Sequence, residues 1–540
     1  MNNEPVKTMI YAATAVVILG IAWATQPSVR EVSESDYVNR VLFEDFTDPG
    51  DAAQLEITHF DKNKVEQERV QTFTVARQSN GLWTLPSRSG YPADAEDRMK
   101  DAATRFIGLK ALGVVADEEG KDATALHKLY GVLEPGDDIP TDAEDSVGLA
   151  ITVKNKNDDV LAGLIVGNEV EGAADQRYVR VPGQDLVYQV KIDPDKFSTE
   201  FSDWIEKDLL QLSSFDIEDV NIFDYTVARV PVRDQFGRVV VDPLGRPRTR
   251  WGLEQRFDAF LHWQDSNWEL KELVQYTPGQ QPIRELELPP GEALNKETLN
   301  ELKSAVDDLK IVDVHRKPKW LGDALKKDGE FPQSGKSVEE LVNRGFVAAQ
   351  SLEDPSRIEL KSANGEVHIS MQDAVKYILR FGRVVSIEKG ESAEDSKANR
   401  YLFVVAEVDE SKLTPPILED LPKLPANLPM PEKTEEDGDS KEDSVAEEAK
   451  ILAEQKRIET ENNRKLDAYK ESRETAEKRV AELNGRFADW YYVVSDDMFK
   501  KIRLDRDSLF VESDEAAQEG VGLDAFRELQ EGGLEKGPME

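Results

Sequence analysis

The chain is 540 residues long, has no cysteine and holds only five histidines. Lack of cysteine excludes disulfides, thiolate metal sites, cysteine nucleophiles and a lipid-modified N-terminal cysteine. His59, His127, His262, His315 and His368 are isolated in sequence, and none has a second histidine at helical ligand spacing. Each is therefore expected in a surface or satisfied core role, and no metal ligand is assigned. Positive charge is also scarce. Lys+Arg 68 against Asp+Glu 107 gives a formal charge of -39, a balance that repels phosphate backbones and argues against nucleic acid as a partner. With so many acids, carboxylate pairs arise everywhere by chance, so none identifies a catalytic acid and base. The segment from Gly329 to Ser337 imitates a nucleotide-binding loop and fails, because five residues rather than four separate its glycines and no buried strand precedes it. No catalytic, cofactor-binding or metal residue is assigned, and the chain reads as a non-enzyme.

What is present begins with an uncharged, mostly apolar run from Thr8 to Thr25, preceded by Lys7. At about 1.5 Å rise per residue it just crosses a hydrocarbon core of about 30 Å. Residues 1–26 are read as an uncleaved anchor with the N-terminus in the cytoplasm, giving a single-pass protein of the inner (cytoplasmic) membrane with its bulk outside. Ala22-Trp23-Ala24 fits a small-x-small cleavage pattern and leaves a cleaved signal peptide as the alternative.

The remainder reads as α+β, in two repeated modules of antiparallel meander sheet plus helix. In the first, residues 27–212, Gln54 to Phe60 and Arg69 to Ala76 alternate apolar and polar residues before Trp83. Asp94 stands where an N-cap belongs, before a helix with Met99, Ala102, Phe106 and Leu109. A β-meander follows, and then a helix through Phe197, Phe201, Trp204 and Leu209. The second module, 213–412, repeats these signals at Trp268, at Asn295 and in a helix with Leu299, Leu302, Val306 and Leu309.

A Pro-rich acidic linker (413–443) and a long charged helix or helical hairpin (444–486) interrupt the second copy, with Asn462-Asn463 as the hairpin's turning point. Its irregular apolar spacing gives no firm heptad register, though a partner-binding coiled coil is one reading of it. Residues 487–512 resemble the strands that end the first module and complete the second. An acidic tail, 513–540, closes the chain.

One segment departs from the acidic background. Arg229, Arg233, Arg238, Arg246, Arg248 and Arg250 face only Asp234 and Asp242, a local net charge of +4. Turn signals at Gln235-Phe-Gly and Pro243-Leu-Gly make the segment an extended hairpin. It reads as a contact for anionic lipid or an acidic partner, or as a hairpin whose arginines pair with neighbouring carboxylates.

Trp83-Thr-Leu-Pro86, Tyr91-Pro-Ala-Asp94, Lys128-Leu-Tyr-Gly131-Val-Leu-Glu-Pro135, Ile165-Val-Gly-Asn168, Tyr178-Val-Arg180 and Val187-Tyr188 together resemble the family called domain of unknown function 4340. Val132 stands where that family usually has leucine. The resemblance covers about residues 50 to 212 and, more weakly, the second module. It implies an N-terminally anchored extracytoplasmic protein, of a kind often encoded beside ABC-type export permeases and gliding-motility-type auxiliary subunits. It supplies no catalytic residues.

The expected function is thus a non-enzymatic, membrane-anchored scaffold or accessory protein, possible partners including an ABC-type permease complex. The alternative is an extracytoplasmic small-ligand or glycan binding module using Trp490, Tyr491 and Tyr492. A hydrolase with two carboxylates in one cleft stands third.

Overall fold

The computed structural model describes residues 38–512 apart from 65, 116–122, 137, 233, 289–290, 327–334, 351–357, 389–396 and 424–438. The run from Thr8 to Thr25, residues 329–334 of the nucleotide-loop imitation and the tail 513–540 lie outside the described residues. Among the described residues no helix is long and apolar enough to cross a membrane. The chain forms two compact units, Met1–Thr199 and Glu200–Glu540, and its fold is α+β with two large antiparallel sheets.

The first unit contains β1 (Gln54–Phe60), β2 (Val70–Arg77), β3 (Trp83–Leu85), β4 (Tyr91–Pro92), helix α1 (Glu96–Thr104), β5 (Gly113–Val115), helix α2 (Ala123–Tyr130), β6 (Leu149–Lys154), β7 (Val160–Val170), β8 (Ala173–Arg180) and β9 (Val187–Val190). The nine strands form one sheet in the order β4-β3-β2-β1-β6-β7-β8-β9-β5. Alternation fixes its inner face, because strand side chains point to opposite sides in turn. Val75, Leu55, Val153 and Ala162 lie opposite one another across four strands, as do Phe73, Ile57, Ile151 and Leu164, and all eight are buried.

Two local expectations are corrected in this unit and the residues that follow it. Asp94 does not cap α1: the N-cap is Ala95, without a side-chain bond, so the helix starts one residue too late for Asp94 to reach its free N–H groups. The helix expected through Phe197 and Leu209 is absent. Asp193 instead accepts the Asp195 N–H and opens a short 3-10 turn, Pro194–Lys196, and a second turn follows at Phe201–Asp203. Phe197, Phe201, Trp204 and Leu209 are nevertheless buried, so their apolar spacing reported burial rather than helix.

The second unit contains β10 (Ile217–Pro231), β11 (Thr249–Gln264), β12 (Asn267–Gln275), β13 (Ile283–Glu285), β14 (Glu292–Leu294), α3 (Lys296–Asp307), β15 (Asp313–Arg316), α4 (Lys319–Lys326), α5 (Gly335–Asn343), β16 (Phe346–Gln350), β17 (Ile358–Ser362), β18 (Glu366–Met371), β19 (Val375–Glu388), β20 (Lys397–Val408), α6 (Asp439–Phe487), β21 (Trp490–Val494), α7 (Asp496–Ile502), α8 (Arg506–Leu509) and β22 (Phe510–Glu512). Its nine-stranded sheet runs β13-β12-β11-β10-β18-β19-β20-β21-β15. Position for position this order corresponds to that of the first sheet. The inner face is again apolar: Leu273, Ala259, Ile222, Val367, Leu379 and Val404 form one row of opposed residues. Here the helix after the tryptophan strand is capped, Asn295 accepting the Thr298 N–H at 3.1 Å.

The long charged segment is a single helix of 49 residues, with no turn at Asn462-Asn463. It leaves after β20 and returns into β21, which pairs with β20. Asn484 on the helix bonds both backbone groups of Ala406, donating at 2.8 Å and accepting at 2.9 Å. The side chain thereby stands in for a neighbouring strand. Residues 413–423 of the linker run along the helix, where Asn462 holds the backbone of Glu419 and Gln455 donates to the Pro422 carbonyl.

Candidate functional site on the outer face of the second sheet

Where the inner row is apolar, the neighbouring row on the outer face is charged. Val274, Asp258, Phe223, Glu366, Arg380 and Phe403 lie opposite one another across six strands. Asp258, Glu366 and Arg380 are 7%, 2% and 8% exposed. Buried charges persist only when paired and hydrogen-bonded, and Glu366 meets that condition. Arg380 Nε donates to it at 2.8 Å, Lys361 Nζ at 3.1 Å, and His368 Nε2 lies 3.5 Å away. Burial alone raises a carboxyl pKa. Arg380, His368 and Lys361 outweigh burial and hold Glu366 well below its ordinary value.

Asp258 lacks such partners. Its Oδ2 accepts from the Tyr276 hydroxyl at 2.7 Å, while its buried Oδ1 has no hydrogen-bond partner in the protein. Burial pushes its pKa up to about 6, against the opposing effect of the tyrosine bond and Lys361. The same bond, after burial, raises the Tyr276 pKa.

Hairpin β16–β17 forms one wall. It supplies Lys361, and the Ser362 N–H donates to the buried Tyr225 hydroxyl at 3.2 Å. Together these groups enclose a cavity of about 510 Å³ walled by Phe223, Tyr225, Phe260 and Tyr276, with Asp258 and Lys361 among the polar groups facing it. The lining combines these aromatics with many charged side chains of both signs, and is more polar than an ordinary small-ligand pocket. The two carboxyls differ: burial holds Asp258 up, whereas Arg380, His368 and Lys361 hold Glu366 down. Among the described residues no group of histidine and acidic side chains is placed to hold a metal ion.

Of the six arginines singled out from sequence, Arg229, Arg238, Arg246 and Arg248 do not line this cavity. They occupy the far end of the β10–β11 hairpin and are exposed, while Arg250 lies on β11 opposite Val230 and Arg233 lies outside the described residues. Two have neighbours of their own, Arg229 over the Trp251 ring at 4.5 Å and Arg238 bonded to Asp234 at 3.0 Å. Trp490, Tyr491 and Tyr492 are buried in β21 and present no exposed surface to a ligand. The cavity residues were overlooked, although Glu366-Val-His-Ile-Ser370 displays the signal: three polar side chains at strand spacing, on the face opposite Val367 and Ile369.

The motifs that carried the family resemblance serve architecture. Gly131 follows α2 at φ +70°, and a Cβ on Gly167 of β7 would lie 2.3 Å from the Tyr130 carbonyl oxygen. Arg180 Nε clamps the same turn by donating to the Val132 carbonyl at 3.0 Å. The second unit has a matching lock: Gly345 follows α5 at φ +86°, and a Cβ on Gly382 of β19 would lie 2.3 Å from the Arg344 carbonyl oxygen. Both positions need glycine because two backbones touch.

No curated protein and no solved structure matches the chain at a significant level. Residues 83–326, just under half of the chain and reaching from β3 of the first unit through α4 of the second, match the family described as Domain of unknown function (DUF4340), and this stretch belongs to that family.

Proposed function

We propose that this chain is a non-enzymatic, membrane-anchored extracytoplasmic scaffold or accessory protein, an auxiliary of an ABC-type envelope transport complex, built from two versions of one module. The correspondence between the two sheets carries the reading. Nine strands follow the same order twice, and a glycine after a helix meets a glycine in the corresponding strand in both. The second version adds the arginine hairpin, the β16–β17 hairpin and the 49-residue helix. Additions to a repeated framework are where a specific contact is expected, because loops and insertions vary while the supporting sheet holds them in place. Co-purification of the full chain from detergent-solubilised membranes is the test. Stable recovery of a permease-type partner supports the reading, and repeated recovery of the chain alone counts against it.

The cavity favours a second reading, an extracytoplasmic binding module for a small ligand or glycan. It rests on Asp258, which lines an aromatic-walled space and whose buried Oδ1 has no hydrogen-bond partner in the protein. Calorimetric titration with a panel of saccharides tests it. Binding that is lost in Asp258→Asn supports the pocket, and no heat from any member opposes the glycan form of the reading.

A further inference from the structure

The arginine hairpin ends in two loops of one pattern, Asp234-Gln-Phe-Gly-Arg238 and Asp242-Pro-Leu-Gly-Arg246. Their hydrogen bonds match. Asp234 Oδ1 accepts from the N–H of Phe236 at 2.9 Å and of Arg238 at 3.0 Å, and Asp242 Oδ1 accepts from Leu244 at 2.8 Å and Arg246 at 2.9 Å. In each loop the glycine N–H returns to the aspartate carbonyl and the aspartate N–H bonds the arginine carbonyl. Behind the loops, three segments bond one another in a closed cycle: Val232 N–H to Arg248 O, Arg248 N–H to Val240 O, and Val240 N–H to Val232 O, each at 2.8 Å.

This construction holds two large apolar side chains out in water, Phe236 at 72% and Leu244 at 76% exposed. An arginine stands two residues behind each, within a segment of local net charge +4 on a chain of -39. Many of the loop N–H groups already have partners, so the loops can enter a medium of low dielectric with little loss of hydrogen bonding. Apolar tips with arginines behind them match an interface of acyl chains beneath anionic head groups.

We infer that these twin loops dip into an anionic membrane surface, Phe236 and Leu244 entering the head-group boundary while Arg238, Arg246 and Arg248 contact lipid phosphates. The inference rests on the membrane-anchored reading proposed above.

Because the chain has no cysteine, Gln235→Cys supplies a unique site for an environment-sensitive dye beside Phe236 without removing either tip. The labelled full chain is placed in nanodiscs of phosphatidylcholine, with or without phosphatidylglycerol, carrying a trace of quencher-bearing lipid. Severalfold stronger quenching in the anionic discs is expected. It should be lost in Phe236→Ser/Leu244→Ser and in Arg238→Gln/Arg246→Gln/Arg248→Gln, with the thermal unfolding midpoint unchanged in both. A chain retained in the disc whose dye stays in water overturns the hairpin contact alone. Quenching indifferent to the arginines, or protection of the dye only on adding membrane proteins, also overturns it. A chain that leaves the disc removes the anchor and the inference together.

Discussion

The outer faces of the two sheets differ more than their strand order does. On the first, Thr58 and Thr72 meet at 3.0 Å and Lys154 pairs with Glu56 at 2.7 Å, all partly in water. On the second, Asp258, Glu366 and Arg380 are buried in one row beneath the β16–β17 hairpin. In both units the segment between the fifth and sixth strands folds over this face. The first puts Val132 on Ile165 and Val187, whereas the second puts Phe346 and Leu360 on Phe403 and Tyr491. A longer cover hides more surface, and the charges beneath it then need partners. Two sheets of matching strand order thus differ in that, among the described residues, only the second carries a buried charged row.

The comparison can be broken from the second unit. Arg380→Ala leaves Glu366 buried with Lys361 as its remaining close cation and should cost about 3–5 kcal/mol, whereas Glu366→Leu/Arg380→Leu should recover most of that loss. Hydrogen exchange read separately over 38–199 and 200–512 checks that only the second unit is affected. The next effect has the opposite sign. The Asp258 pKa is pushed up to about 6 in the folded chain from an ordinary 3.8, so its contribution to stability falls as pH rises through that interval. Asp258→Asn should therefore stabilise the second unit by up to about 3 kcal/mol at pH 7 to 8, the difference vanishing below about pH 4. Thermal unfolding across pH measures it. Glu366 behaves conversely: its lowered pKa gives stability present above the unfolded value and lost as pH falls.

Smaller changes sharpen the contrast. Tyr276→Phe removes a bond that favours the ionised carboxylate, so the Asp258 titration should move further upward in the same pH series. Asn295→Ala should cost about 1 kcal/mol in the second unit, through loss of the cap on α3. On the first sheet, Thr58→Val/Thr72→Val should change stability by no more than about 0.5 kcal/mol, as expected for a solvated face. A loss there as large as that of Arg380→Ala would erase the distinction between the faces.

Much of the framework was legible because alternation is a local signal. Gln54 to Phe60 and Glu366 to Ser370 show their buried faces directly, and the tryptophan strands before α1 and α3 show the parallel between units. The charged row was not legible as a site. Asp258, Glu366 and Arg380 come from three strands and meet only through register, which no single segment encodes. The second glycine lock was hidden as well, since Gly345 and Gly382 matter only once α5 lies against β19. Asp94 misled because its residue type and position suit a cap, whereas the helix opens at Ala95. The arginine hairpin stood out by composition, but its doubled loops show their equivalence in hydrogen bonds.

On the proposed reading, a shared framework was specialised for contact in its second copy. Co-purification of the full chain from membranes tests it most directly when run with two charge-bearing variants, Gln255→Lys/Tyr276→Ala at the second sheet's cavity and Thr58→Lys/Thr72→Lys on the first sheet. A partner kept by the first-sheet variant and lost by the second-sheet variant is the predicted result. Loss in the first-sheet variant alone, or recovery of the wild-type chain without any partner, would contradict it.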